Sequence, residues 1–173
     1  MSIVDLTKLV SRDELMQRWA ELAQDEQAPD GYELTEYGEL VLSPRAENDH
    51  QYLCSEIAFQ IRTQLGGAAV VEASVLTTTA GIRVPDVVWM AQDRWKQLPR
   101  NAVLEAPDIV VEVLSPGNRK PEMDHKILGY LQSGVKEVIV VGLTGTIDYV
   151  RQDGRHASST FPLQLSLPTR LFS

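Results

Sequence analysis

At 173 residues the chain is long enough to bury one substantial core and too short for a large multidomain machine. Apolar residues make up 43% and charged residues 23%, as in ordinary globular proteins, while 24 acidic against 16 basic side chains give a net charge of -8. That balance argues against a salt-driven grip on bulk nucleic acid, though it leaves room for a local basic cleft. The single cysteine, Cys54, excludes an internal disulfide framework and any multi-cysteine zinc site. No run of 18 apolar residues and no signal-like start is present, so a reduced, soluble, cytoplasmic protein is expected.

The segment from Ser11 to Ala23 predicts a short helix, with Ser11 as N-cap, Glu14 completing a capping box, and Leu15, Trp19 and Leu22 on one face. Pro29-Asp30-Gly31 is turn chemistry. Tyr32 to Glu36 and Glu39 to Ser43 predict a hairpin around Tyr37-Gly38. A loop from Pro44 to Asp49 leads to a helix over His50 to Leu65, with Leu53, Ile57 and Ile61 on one side and Gly66-Gly67 as the stop. Three strands follow: Ala69 to Thr79, Val84 to Met90 opened by Pro85, and Ile109 to Leu114. The last is almost wholly aliphatic and therefore central, covered on both faces. Ser115-Pro116-Gly117-Asn118 ends it. A helix from about Pro121 to Gln132 has proline in its first turn, and strands over Val138 to Val141 and Thr146 to Arg151 turn at Thr144-Gly145. A tail from Gln152 onward holds short extended pieces. The expected fold class is α/β (α+β), a mixed β-sheet core flanked by helices with an N-terminal helix and hairpin, as one domain over residues 1–173.

Within this frame Glu112 stands out. It interrupts five aliphatic residues, and an ionised carboxylate there needs a partner or a shifted pKa. A divalent cation and a buried salt bridge both satisfy that need, and the residues alone leave the choice open. Asp86 begins the neighbouring apolar strand. If the two strands are adjacent, about 4.8 Å apart, Asp86 and Glu112 can converge on one hard cation with the Val113 carbonyl as third ligand, a sparse oxygen set that suits Mg²⁺. Asp108 shares a face with Glu112, but four residues along a strand is roughly 13 Å, too far for one ion. Lys126 lies on the next helix, with Tyr130 four residues on and on the same face, and its amine could reach back over the strand end.

The ordered set Tyr32-Glu33-Leu34, Gly38-Glu39-Leu40-Val41, Ser43-Pro44, His50, Val84-Pro85-Asp86, Glu112-Val113-Leu114-Ser115-Pro116, Lys126, Tyr130, Gly134-Val135 and Glu137 resembles the Uma2 family, also called DUF820, within the PD-(D/E)XK nuclease superfamily. The resemblance spans about residues 11 to 151. It implies a restriction-endonuclease-like fold and an endonuclease that hydrolyses DNA phosphodiester bonds with Mg²⁺, Mn²⁺ being possible. Asp86, Glu112 and Lys126 would be catalytic, and Asp86, Glu112 and Val113 would hold the metal. The second motif of the superfamily ends in lysine where this chain has Leu114, and Lys126 is the substitute. Glu39, His50 and Tyr130 would line the site, and Glu56 is a further candidate acid. Gly142 stands where relatives carry an acid, which leaves an inactive binding or assembly module as the alternative reading. Arg45, Arg62, Arg83, Arg119 and Lys120 are the candidate DNA contacts. A homodimer is implied, with the hairpin around Gly38 and the C-terminal strands as its contacts.

Overall fold

The computed structural model describes residues 8–43 and 46–172. Pro44 and Arg45, and with them one candidate DNA contact, lie outside the described residues. The first helix, α1 (Arg12–Leu22), begins as the sequence predicts. Ser11 Oγ accepts from the Glu14 amide, and the Glu14 carboxylate accepts from the Ser11 amide at 2.9 Å. Strands β1 (Tyr32–Leu34) and β2 (Leu40–Leu42) form the hairpin, and α2 (Asn48–Leu65) follows.

The predicted strand from Ala69 to Thr79 is two strands in two different sheets. The chain leaves β3 (Ala68–Val71) through Glu72, at φ 52°, and enters β4 (Val75–Leu76). The expected strand from Val84 to Met90 is shortened to β6 (Val87–Met90), and the separate β5 (Ile82–Arg83) precedes it, with Pro85, which has no amide hydrogen to give a ladder, between them. The short elements α3 (Gln92–Lys96) and β7 (Leu104–Glu105) are too brief to show a period. Then come β8 (Ile109–Val113), α4 (Lys120–Gln132), β9 (Glu137–Val141), β10 (Ile147–Arg151) and β11 (Gly154–His156).

The expected mixed core is therefore built from two sheets. A six-stranded sheet has the order β11-β10-β9-β8-β6-β3, with β8 and β9 parallel and the other pairs antiparallel. Strand alternation sends Ile109, Val111 and Val113 toward Leu53, Ile57 and Ile61 of α2. The other face sends Val88, Val110, Val138 and Val140 against Met123, Ile127 and Tyr130 of α4. β8 is buried along its whole length, as its composition predicts. A five-stranded sheet, β2-β1-β5-β4-β7, packs Leu34, Leu76 and Ile82 against Leu15 of α1. The chain passes between the two sheets five times, from β2 to β3, β3 to β4, β5 to β6, β6 to β7 and β7 to β8, and Glu33 of β1 reaches Lys126 of α4. Among the described residues no helix is long and apolar enough to cross a membrane.

Gly81 is essential to that junction. It sits at φ 82°, and a Cβ there would meet the Leu34 carbonyl oxygen at 2.1 Å and the Thr35 carbonyl carbon at 2.4 Å, both backbone atoms that cannot swing aside. Gly81→Ala combines left-handed strain with overpacking and is expected to cost about 1–3 kcal/mol, read as a lower urea midpoint at unchanged m-value. A midpoint equal to wild type would show that the β1–β5 contact is looser than described.

Candidate active site

Glu112 is the fourth residue of β8 and is 4% exposed. Alternation directs it to the α4 face, where the Tyr130 hydroxyl donates to its Oε1 at 2.8 Å and Lys126 Nζ stands 3.2 Å from the same atom. Lys126 and Tyr130 meet one carboxylate because they are one helical turn apart. Burial pushes the Glu112 carboxyl up from its ordinary value. The Lys126 charge opposes that, and the charges of Asp86 and Glu33 add to it.

Lys126 is almost wholly buried, which disfavours its charge, but the carboxylates of Glu112 and Glu33 outweigh burial and hold its pKa above the ordinary lysine value. Its ammonium donates to Glu33 Oε1 at 3.0 Å. Leu114 packs among the α4-facing residues of the sheet, so Lys126 reaches from α4 into the face a lysine at position 114 would share.

Glu33, from β1, is a site residue beyond those the sequence predicts. Its carboxylate accepts from Lys126, from the Val84 amide at 2.8 Å and from Arg83 Nη1 at 3.1 Å. Burial pushes its pKa up, and Lys126, the Val84 amide and Arg83 together bring it below the ordinary value. Glu39, the acid expected to line the site from this hairpin, is exposed after the turn and is not among the residues meeting Glu112 or Lys126. Glu56 is not among them either. Arg83, expected as a DNA contact, is buried instead. It is 3% exposed, committed to Glu33 and lying 3.8 Å from Glu36, so it cannot be a surface contact for DNA. Arg62, Arg119 and Lys120 are exposed, and Lys120 pairs with Asp124 at 2.6 Å.

Asp86 immediately precedes β6. The register Val87↔Val111, continued one step, sets it level with Glu112 on the neighbouring strand. Its Oδ2 accepts from the Val113 amide at 2.6 Å, and its Oδ1 lies 3.4 Å from His50 Nε2. The same His50 nitrogen is 3.3 Å from the Val113 carbonyl oxygen. The hydrogen bond to Asp86, with the contact to Cys54, holds the imidazole above its usual pKa despite burial.

These contacts test the fit to a hard cation. Asp86 Oδ1 and the Val113 carbonyl, two of the three expected ligands, already face one positive group, the His50 ring. Glu112 is level with them but turns Oε1 toward Lys126 and Tyr130. Asp86 Oδ1 and the Val113 carbonyl are hard oxygen donors of the kind Mg²⁺ takes, whereas Glu112 Oε1 is already engaged by Lys126 and Tyr130. Asp108, at the other end of β8, is bound instead by Arg94 at 3.1 Å and Lys136 at 2.9 Å and takes no part. At Gly142, one residue beyond β9, a Cβ would meet Thr146 Oγ1 at 2.4 Å, so the side chain of Thr146 fills the space an acid would need.

Three comparisons bear on this arrangement. The Uma2 family model, described as "Putative restriction endonuclease", matches residues 14–169. Among solved structures, the chain is similar to a putative nuclease belonging to DUF820 from Anabaena variabilis ATCC 29413, with TM-score 0.71 and 22% identity over 94% of this chain and 97% of that one. No curated protein matches.

Proposed function

Because the chain belongs to the Uma2 family, a family of nuclease type, we propose that it is a metal-dependent endonuclease that hydrolyses phosphodiester bonds of DNA at the Asp86–Glu112–Lys126 site. The observation that carries this reading is the ammonium of Lys126, held charged in the protein interior between Glu33 and Glu112, one strand away from Asp86 and the Val113 carbonyl.

Asp86 Oδ1, the Val113 carbonyl and Glu112 are the groups that would hold Mg²⁺ or Mn²⁺. Such an ion supplies Lewis-acid polarisation of a phosphate oxygen and a more acidic bound water. Lys126 is held protonated and so serves as a hydrogen-bond donor and fixed charge, not as a base. It orients the attacking water and offsets charge that develops on the phosphoryl oxygens. Tyr130 fixes the Glu112 carboxylate, and Glu33 fixes Lys126. His50 balances the Asp86 charge and lines the same end of β8. Arg119 and Lys120, exposed where α4 begins, are the surface charges that would meet the DNA backbone. The homodimer implied by the resemblance has its candidate contact at β2, where Leu42 is 62% exposed on an edge strand. A monomer mass by light scattering would overturn it.

The commitment of Glu112 Oε1 to Lys126 and Tyr130, together with Gly142, favours the second reading, a nuclease-fold binding module. Metal separates the two. With Mg²⁺ or Mn²⁺ in large excess over its dissociation constant, the wild type is expected to gain about 2–3 kcal/mol of stability and Glu112→Ala to gain less, alongside nicking of supercoiled plasmid by the wild type alone. No gain with either metal and no nicking would decide for the binding module.

A further inference from the structure

Asp86 also belongs to a grouping of a different chemical kind. His50 and Cys54 are four apart on α2, so their side chains stand one above the other on a single face. Cys54 Sγ is 3.6 Å from His50 Nδ1, and His50 Nε2 is 3.4 Å from Asp86 Oδ1. One ligand atom from each of the three residues lies within 4.8 Å of the other two.

A nitrogen, a sulfur and an oxygen are the donors zinc takes in tetrahedral sites, at about 2.0–2.3 Å, which spaces neighbouring ligand atoms by roughly 3.3–3.8 Å. The contacts to Cys54 and Asp86 use opposite nitrogens of the ring, so one metal requires the imidazole to turn until a single nitrogen faces both partners, whose ligand atoms already lie within 4.8 Å of it. The set is foreign to Mg²⁺, which takes oxygen and not thiolate. Cys54 is 3% exposed, while the side chains of His50 and Asp86 are 20% and 21% exposed, so solvent reaches the group from their side.

We propose that this chain binds a thiophilic divalent transition metal of the zinc class through Cys54 Sγ, one imidazole nitrogen of His50 and a carboxylate oxygen of Asp86, with water in the fourth position. Cys54 binds as the thiolate and His50 as the neutral imidazole, so the thiol proton goes to solvent as the metal enters. This ligand set shares only Asp86 with the hard-cation set. The binding stands whether or not the chain cuts DNA. The mutual exclusion of the two metals at Asp86 is the one consequence that rests on the nuclease reading.

Co²⁺ is the probe, because a thiolate on cobalt gives a charge-transfer band in the near ultraviolet and a tetrahedral site gives intense visible bands. Titration of the reduced full-length chain is expected to bring up both sets of bands to one equivalent per chain, and Zn²⁺ to abolish them. Cys54→Ser is expected to lose the charge-transfer band while its circular dichroism is unchanged, and Asp86→Asn to weaken cobalt binding at least about tenfold. Absence of the charge-transfer band in the wild type would overturn the site, and so would its persistence in Cys54→Ser. The wild-type reading decides even where a variant misfolds, and no DNA substrate enters the measurement.

Discussion

Lys126→Ala is expected to lower the kcat of metal-dependent DNA cleavage by about 10²–10³-fold with little change in KM, the loss found when one preorganised donor to a developing oxyanion is removed. The expectation follows from where the charge is kept. A buried lysine with no partner drifts toward neutrality and becomes a base. Lys126 is instead held protonated, because Glu33 and Glu112 lie 3.0 and 3.2 Å from its Nζ. Its contribution is therefore an ammonium fixed before substrate arrives, with no reorganisation at the moment of reaction. Two readouts separate this from a merely structural lysine. Mg²⁺-dependent stabilisation should survive in Lys126→Ala, since Lys126 is not among the metal-holding groups. The wild-type pH–rate profile should also lack an ionisation of a lysine acting as base, which would appear near about pH 7–8. A rise of kcat through such an ionisation, abolished in Lys126→Ala, would overturn the fixed-charge role.

The parts of this site that were legible in the sequence are those where a polar residue breaks a strong pattern. Glu112 interrupts an aliphatic strand, and in the structure it is buried and paired. Lys126 and Tyr130 have helical spacing, and both reach the same carboxylate oxygen. The level pairing of Asp86 with Glu112 required only that two apolar strands be neighbours. Glu33 was not legible as a site residue, because β1 is three residues long and offers no apolar run for an acid to interrupt. Arg83 carried the signal that marked Glu112: a charge between Ile82 and Val84, each apolar. It is not a surface charge for DNA but the counter-ion of Glu33. The division of Ala69 to Thr79 turns on one left-handed residue, Glu72, whose type does not announce that conformation. Because that division separates the two sheets, the sequence pattern suggested one sheet and hid the route by which the hairpin reaches α4.

Glu33→Gln is expected to destabilise the protein by about 3–5 kcal/mol at neutral pH, since it removes one partner from a buried ion cluster and leaves the cations behind. Arg83 is 3% exposed and retains Glu36, at 3.8 Å, and the Ala80 carbonyl, which accepts from its Nε at 2.6 Å, while Lys126 retains Glu112, whose own carboxyl burial pushes toward neutrality. Neither cation can turn to water without opening the junction between the sheets. The pH dependence has a definite sign. The folded-state pKa of Glu33 lies below its ordinary value of 4.5, so the stability it contributes is fully present above about pH 4.5 and is lost as pH falls through the folded pKa. The gap between wild type and Glu33→Gln should accordingly be widest near neutrality and shrink below pH 4.5 by up to about 1.4 kcal/mol per unit, until the folded carboxyl is itself protonated. Urea unfolding of both proteins at several pH values between neutrality and acid, in chelator, measures that gap. A gap that stayed constant or widened toward acid would mean that Glu33 is not ionised in the folded protein. The fixed charge on Lys126, and the catalytic role built on it, would then lose its support.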